Sequence, residues 1–104
     1  MLLTNVESVP GKQTVEHFGL VSGSTVRAKN AFKDFGAGFK SVFGGELKSY
    51  TKLLDETRTE AVGRMIEQAT QLGANAIVNV RFATSDIAQG ASEIYVYGTA
   101  VRVQ

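Results

Sequence analysis

The sequence predicts an α+β domain that combines an antiparallel sheet with one long helix and a shorter helix. Segments near both ends of the chain are rich in β-branched and aromatic residues that alternate with polar ones, which is typical of strands. Between them, a segment of about 25 residues carries apolar side chains at helical spacing and ends at Gly73. A chain of 104 residues has room for one core, so we predict a single domain over residues 1–104.

The first part of the chain is predicted to hold a turn followed by a strand. In "VPGK", Pro10 fixes φ at the first central turn position and Gly11 accommodates the next one. The stretch that follows, "QTVEHFGLVSG", is rich in β-branched and aromatic residues and predicts a strand over residues 13–21. In a regular strand, His17 shares a face with Val21.

The stretch "NAFKDFGAGFKSVFGG" predicts the shorter helix, over residues 30–43. At about 100° per residue, its phenylalanines fall within an arc of roughly 80° and form one stripe. Gly36 and Gly38 each cost about 1 kcal/mol relative to alanine inside a helix, which we interpret as room for close packing. A phosphate-binding loop would instead place its glycines between a strand and a helix N-terminus. The stripe residues that we predict to lie in a subunit interface are Phe32, Phe35 and Phe39.

Lysines flank this stripe and leave two interpretations open. A basic helix with an aromatic face is typical of proteins that lie on a membrane surface. In the other interpretation, the phenylalanines are buried in the core or between subunits while the lysines stay in water. We favour burial, because the chain has few other large apolar side chains from which to build a core, and keep a membrane-surface module using helix 30–43 as the alternative function.

The segment "ELKSYTKLLDETRTEAVGRMIEQATQLG" predicts the long helix. Its apolar side chains span an arc of roughly 140°, whereas a helix that packs on one sheet needs only about 100°. The extra width predicts that the helix covers a second surface. The apolar residues of this arc are Leu54, Ala61, Val62, Met65, Ile66, Ala69 and Leu72.

Two strands complete the predicted sheet. In "NAIVNVRFA", alternation places Val78, Val80 and Phe82 on one face, and "TSDIAQGAS" predicts a polar hairpin connection. The last strand, "EIYVYGTAVRV", is apolar on both faces, although an antiparallel strand usually exposes one face to water. We therefore predict that a partner subunit covers the second face, with Tyr95 and Tyr97 in the interface. The same two rings could also stack on a flat ligand.

Composition argues against several classes of function. The formal net charge of +1 provides no long-range attraction for nucleic acid, so no nucleic-acid partner is expected. The absence of cysteine excludes disulfides and thiolate chemistry. No segment reaches the roughly 18 consecutive apolar residues of a membrane span, and "MLLTNVESV" turns polar too early for a signal peptide. We expect a cytoplasmic protein.

Four blocks of the sequence resemble the small bacterial and archaeal YbjQ-like proteins, a family that carries a heavy-metal-binding label. The blocks are "LLTNVESVPGKQTVEHFGLVSG", "FKDFGAGFKSVFGGELKSYTKLL", "LGANAIVNVRF" and "YVYGTAVRV". Their order follows the chain from end to end, and the resemblance covers essentially the whole of it. The resemblance implies an antiparallel sheet packed on the long helix, as in the dodecin subunit, and a ring-shaped homo-oligomer that is a pentamer. It brings no known catalytic residues.

The heavy-metal label transfers poorly to this chain. Zinc and softer ions prefer Cys and His, usually as three or four ligands, and the chain offers one histidine, His17, and no cysteine. One subunit cannot build such a site, although a symmetry axis could bring several copies of His17 together. Otherwise His17 is a packed or hydrogen-bonded residue. No catalytic motif is found, so we predict a non-enzymatic protein that binds a metal or small ligand between subunits, with no cofactor assigned.

Overall fold

The fold was analysed on a computed structural model that describes residues 1–28, 48–88 and 91–104. The predicted Phe-rich helix lies outside these residues. The described chain contains strands on both sides of one long helix. In chain order, the elements are β1 (Leu2–Leu3), β2 (Thr14–Ala28), α1 (Lys48–Leu72), β3 (Ala76–Ala88) and β4 (Ala91–Val103).

The strands form a single mixed sheet in the order β1-β3-β4-β2. β4 lies in the centre and runs antiparallel to both β2 and β3. β1 adds a short parallel pairing, in which Leu2 and Leu3 lie opposite Ala76 and Ile77. The α+β class is therefore confirmed, with one parallel pair that the sequence did not predict, because a strand of 2 residues is too short to show alternation.

Helix α1 lies across β2 and β4 on one face of the sheet. Gly23 on β2 makes this close contact possible, because a Cβ added there would lie 2.1 Å from the carbonyl oxygen of Ala61 and 2.7 Å from the amide nitrogen of Met65. The helix backbone thus rests directly on the strand. The side chains buried on the helix recur every fourth residue and are Thr57, Ala61, Met65 and Ala69. They face Val21, Ile77, Val96 and Ala100 on the sheet.

The helix ends where the sequence predicts. Gly73 has a φ of 92°, in the left-handed region that glycine adopts without strain. Its N–H donates to the carbonyl oxygen of Thr70 (3.0 Å), and the N–H of Ala74 donates to that of Ala69 (3.1 Å). This pair of hydrogen bonds is the Schellman C-cap, which satisfies carbonyl groups that the helix itself leaves unpaired.

The opposite face of the sheet holds a second, smaller core. Val101 is 0% exposed and Val103 is 4% exposed, and both pack with Ala76 and Val78. Val9, from the chain's own N-terminal segment, covers this cluster. A partner subunit is therefore not needed to bury Val101 and Val103, in contrast to the argument from the two apolar faces of β4.

Backbone pairing extends the hairpin beyond the predicted strand ends. Residues 84–92 were predicted to form a polar connection, but β3 continues to Ala88 and β4 begins at Ala91. Thr84 lies opposite Ile94, and Ser85 lies opposite Glu93. The prediction failed here because it relied on side-chain polarity. The backbone hydrogen bonds between two strands form with polar side chains as well as with apolar ones.

A β-bulge at Asn79 changes which side chains of β3 share a face. Asn79 has a φ of 54°, and the pairing with β4 shifts between Val78 and Arg81. Val78 consequently belongs to the small core on the helix-free face, whereas Val80 packs against the core under α1. The prediction that Val78, Val80 and Phe82 share one face is wrong, because an extra residue reverses the alternation.

A similar irregularity in β2 separates His17 from Val21. Gly19 has a φ of 100°, and the register with β4 shifts between His17 and Gly19. His17 lies opposite Val101, on the helix-free face, whereas Val21 is buried under α1. The shared face expected from regular alternation is therefore also wrong.

Candidate binding surfaces

A groove with a largely apolar lining lies between α1 and the β1–β3 side of the sheet and is called here the apolar groove. It encloses about 350 Å³ and is lined by Leu3, Thr4, Asn5, Val62, Val80 and Phe82. Phe82 is 51% exposed and Leu3 is 38% exposed. The groove exists because α1 covers β2 and β4 but has little contact with β3.

Local structure fixes the walls of the apolar groove. The bulge at Asn79 turns Phe82 to the helix side of the sheet, opposite Val96. The guanidinium of Arg81 donates to the carbonyl oxygen of Asn5 (2.6 Å) and holds the N-terminal segment against β3. Val62 forms the helix wall. This side chain belongs to the apolar arc whose extra width predicts a second surface for the helix.

The apolar groove contains no charged side chain among its lining residues. Its side chains can therefore offer dispersion contacts and release of water, but no directional recognition of a charged ligand. We conclude that it suits an apolar side chain better than a polar metabolite.

Tyr95 and Tyr97 form a second surface, on the helix-free face of the sheet. Their rings stack with centroids 5.5 Å apart and planes inclined by 28°, and both side chains are half-buried. Ser22 on β2 and Arg81 on β3 lie on either side of Tyr97, and Ser24 flanks Tyr95. The pair presents a flat aromatic area with hydroxyl groups beside it, which can pack against a subunit or against a planar molecule.

A small pocket lies under the N-terminal half of α1. It encloses about 190 Å³ and is lined by Thr25, Arg27, Leu54, Thr84, Ser92, Glu93 and Ile94. Arg27 is ion-paired with Glu60 at 2.5 Å, and Glu60 also pairs with Arg64 at 2.7 Å. Because the guanidinium of Arg27 is already engaged, it offers little attraction to an anionic ligand.

His17 is exposed on β2. In the part of the chain that the structure describes, no three His, Cys, Asp or Glu side chains come close enough together to hold a metal ion. The full sequence supplies no cysteine and no second histidine. The donor set of one copy therefore does not fit a centre for zinc or a softer metal.

The described residues include only part of the predicted interface. Tyr95 and Tyr97 lie side by side on one face, as alternation predicts, but their role in an interface stays a prediction. The remaining predicted interface residues, Phe32, Phe35 and Phe39, lie outside the described residues.

The apolar groove itself was not predicted. Phe82 was grouped with Val78, which lies on the opposite face, and Leu3 was not assigned to any element. A signal was present at Asn79, since asparagine is one of the few residues other than glycine that tolerates a positive φ, and a polar residue inside an apolar strand can mark a bulge.

No helix in the described ranges is long and apolar enough to cross a bilayer.

Comparisons with known proteins agree on a family. The YbjQ family model, described as "Putative heavy-metal-binding", matches residues 1–104. A UPF0145 protein of Hahella chejuensis is 60% identical over 101 residues, which cover 97% of each chain. A UPF0145 protein of Dehalococcoides mccartyi is 52% identical over 104 residues, and one of Halorubrum lacusprofundi has the same identity over the same length, in both cases covering 100% of both chains.

The fold also has a counterpart among solved structures. A protein of unknown function from Pediococcus pentosaceus, described as a DUF74 family member, superimposes with a TM-score of 0.60. The match covers 100% of this chain and 98% of the other. At 15% identity, this likeness shows the fold alone. The full-length family match and the highly similar relatives confirm the resemblance found in the sequence, and the chain belongs to the YbjQ-like UPF0145 family.

Proposed function

We propose that this protein is a non-catalytic binding or scaffold protein that works as a homo-oligomer in the cytoplasm, with a metal ion or small ligand held where subunits meet. The observation that carries the proposal is the apolar groove, in which Phe82 remains 51% exposed in a single copy. Family resemblance adds the expectation of a ring of five subunits.

The energetics of the groove favour a neighbouring protein surface. Burying the exposed half of a phenylalanine contributes on the order of 1 kcal/mol, and Leu3 adds a smaller amount beside it. A stable interface buries about 800 Å² per partner, which is more than this groove offers alone. The half-buried Tyr95 and Tyr97 extend the apolar area on the other face of the sheet.

The first test is the number of subunits. We expect native mass spectrometry of the purified protein at micromolar concentration to show an oligomer of five copies, together with any small molecule or metal that it retains. A folded single subunit as the main species would contradict the proposal.

A metal site would have to be shared between copies, because one copy supplies a single histidine. For such a site, we expect zinc titration calorimetry to give fewer ions than subunits and to lose its signal in His17→Ala. Glu67→Ala, on the exposed side of α1, is the matched control and should bind as the wild type does. Unchanged zinc binding in His17→Ala would eliminate the histidine site and leave a small ligand as the candidate.

A further inference from the structure

The middle of the β2 edge is closed by the helix. The N–H of Ser22 donates to the side-chain oxygen of Gln68 at 2.8 Å. The carbonyl oxygen of Ser24 accepts from the guanidinium of Arg64 at 2.5 Å. Side chains of α1 thus bond the backbone groups that would otherwise be available to another strand at this edge.

The outer edge of β3 is closed over its first half only. There, the N–H of Thr4 donates to the carbonyl oxygen of Ile77, and the N–H of Val80 donates to that of Thr4, each at 3.0 Å. Because alternate residues turn their backbone groups to the same edge, Phe82 and Thr84 turn theirs outward, as Val80 does. No residue in the described ranges bonds these groups. This stretch, residues 82–86, is called here the open edge of β3, and it borders the apolar groove.

A second open stretch lies at the start of β2, before the positions that the helix closes. Leu20 turns its backbone groups outward in the same way as Ser22, two residues later, and no bond to them occurs in the described part of the chain. Its side chain is 70% exposed, and that of Val15 is 46% exposed. Residues 14–20 contain neither lysine nor proline, which proteins often use to block an exposed edge. This stretch is called here the open edge of β2.

We propose that the open edge of β3 in one copy pairs with the open edge of β2 in the next copy, so that the sheets of neighbouring subunits become continuous. The added strand lies beside the apolar groove and covers Phe82. The inference rests on the proposed homo-oligomer and names the surfaces that build it.

The positions of the two open edges favour a second copy over a foreign peptide as the occupant. They lie on opposite sides of one sheet, with β4 between β2 and β3. Pairing between copies closes both edges with the same contact, whereas a bound peptide closes one and leaves the other exposed. A contact between two different surfaces is heterologous, and repeated rotation about an axis closes it into a ring.

Cross-linking tests this pairing directly, since the natural chain contains no cysteine. Thr84 lies opposite Ile94 and Glu16 lies opposite Arg102, so both side chains are on the helix side of the sheet, about 28 Å apart within one copy. A short bismaleimide cannot span that distance. We expect co-expressed Thr84→Cys and Glu16→Cys chains to give a cross-linked dimer, and each variant expressed alone to give none. Glu67→Cys with Thr84→Cys is the control for random collision.

Each outcome of the cross-linking decides something different. A dimer in Thr84→Cys alone would show two β3 edges meeting and would overturn the heterologous pairing. An oligomeric mixture without any cross-link would overturn the inference while leaving the proposed homo-oligomer intact. A monomeric wild type, seen in the native mass spectrum, would remove both.

A backbone variant provides a second measurement. Proline at position 84 removes an N–H that points away from β4, and edge strands tolerate proline where that group faces solvent. We expect Thr84→Pro to weaken assembly at least tenfold in light-scattering chromatography, while Thr84→Ala, which keeps the N–H, assembles as the wild type does. Circular dichroism checks that both variants are folded. Equal assembly of the two variants would contradict strand pairing at this edge.

Discussion

Single glycines decide how closely the elements of this protein approach one another. Gly23 and Gly63 lie on the two packed elements but in opposite environments. The Cβ of a residue at position 23 would overlap the backbone of α1, whereas one at position 63 meets nothing within 4 Å. The same chemical change is therefore expected to have opposite effects at the two positions.

We expect Gly23→Ala to lower the free energy of unfolding by about 3 kcal/mol, because the added methyl group must push the helix away from β2. Gly63→Ala, on the exposed side of α1, is expected to raise it by about 0.5–1 kcal/mol through higher helix propensity. Urea denaturation measures both. Equal stability of the two variants would show that α1 does not rest on β2 as described.

At single residues, prediction from sequence succeeded where the residue type is typical of one local structure, such as a helix end or a turn. Gly73 ends the helix as predicted, and Gly11 occupies the turn after Pro10 with a φ of 78°. It failed at Asn79 and Gly19, since a bulge depends on how the opposite strand fits. Asparagine and glycine permit a bulge at these positions, but the local pattern alone does not require one.

At the scale of elements, α1 does more than bury an apolar stripe. Its polar side chains Arg64 and Gln68 reach over β2 and bond the backbone at Ser22 and Ser24. The helix thereby protects an edge of the sheet as well as one of its faces. Polar residues next to the buried stripe therefore contribute to the stability of the sheet by satisfying backbone groups at its edge.

We expect Gln68→Ala to lower the free energy of unfolding by about 1 kcal/mol relative to Gln71→Ala, because only Gln68 bonds the N–H of Ser22. Both substitutions replace an exposed glutamine on the same helix, so their change in helix propensity is similar. Thermal or urea denaturation gives the difference, and identical stabilities would argue against a helix-capped edge.

Elements with a long regular pattern were predicted well. The central strand β4 was located by its β-branched and aromatic residues, although it begins two residues earlier, at Ala91. The helix over residues 48–72 matches its predicted position because it carries an uninterrupted period. β1 was missed because it is too short to show one. The faces of β3, and with them the apolar groove, could not be assigned until the bulge was located.

At the scale of the whole molecule, α1 covers one face of the sheet, and on that face it lies mainly over β2 and β4. The chain's own N-terminal segment covers part of the other face through Val9. Among the described residues, the large apolar side chains that remain exposed include Leu3 and Phe82 at the apolar groove and Val15 and Leu20 on β2. The excess apolar area expected from sequence is thus present, but it is smaller than predicted because Val101 and Val103 are already buried.

If copies unfold as they separate, the melting temperature depends on protein concentration. A hundredfold increase in concentration then adds on the order of 2 kcal/mol of stability per subunit, which corresponds to roughly 10 °C for a domain of this size. Scanning calorimetry at several concentrations measures the shift. A melting temperature that stays constant would indicate that the folded subunit does not depend on its neighbours.

The central position of β4 also has a consequence for synthesis on the ribosome. This strand joins both β2 and β3, yet it leaves the ribosome after every other described element. Until then, β2 has no neighbour in the sheet, and its long-range pairing must wait for the C-terminal end of the chain. The nascent protein therefore displays an unmatched, partly apolar strand until β4 has been made, and during this interval the strand is prone to aggregate.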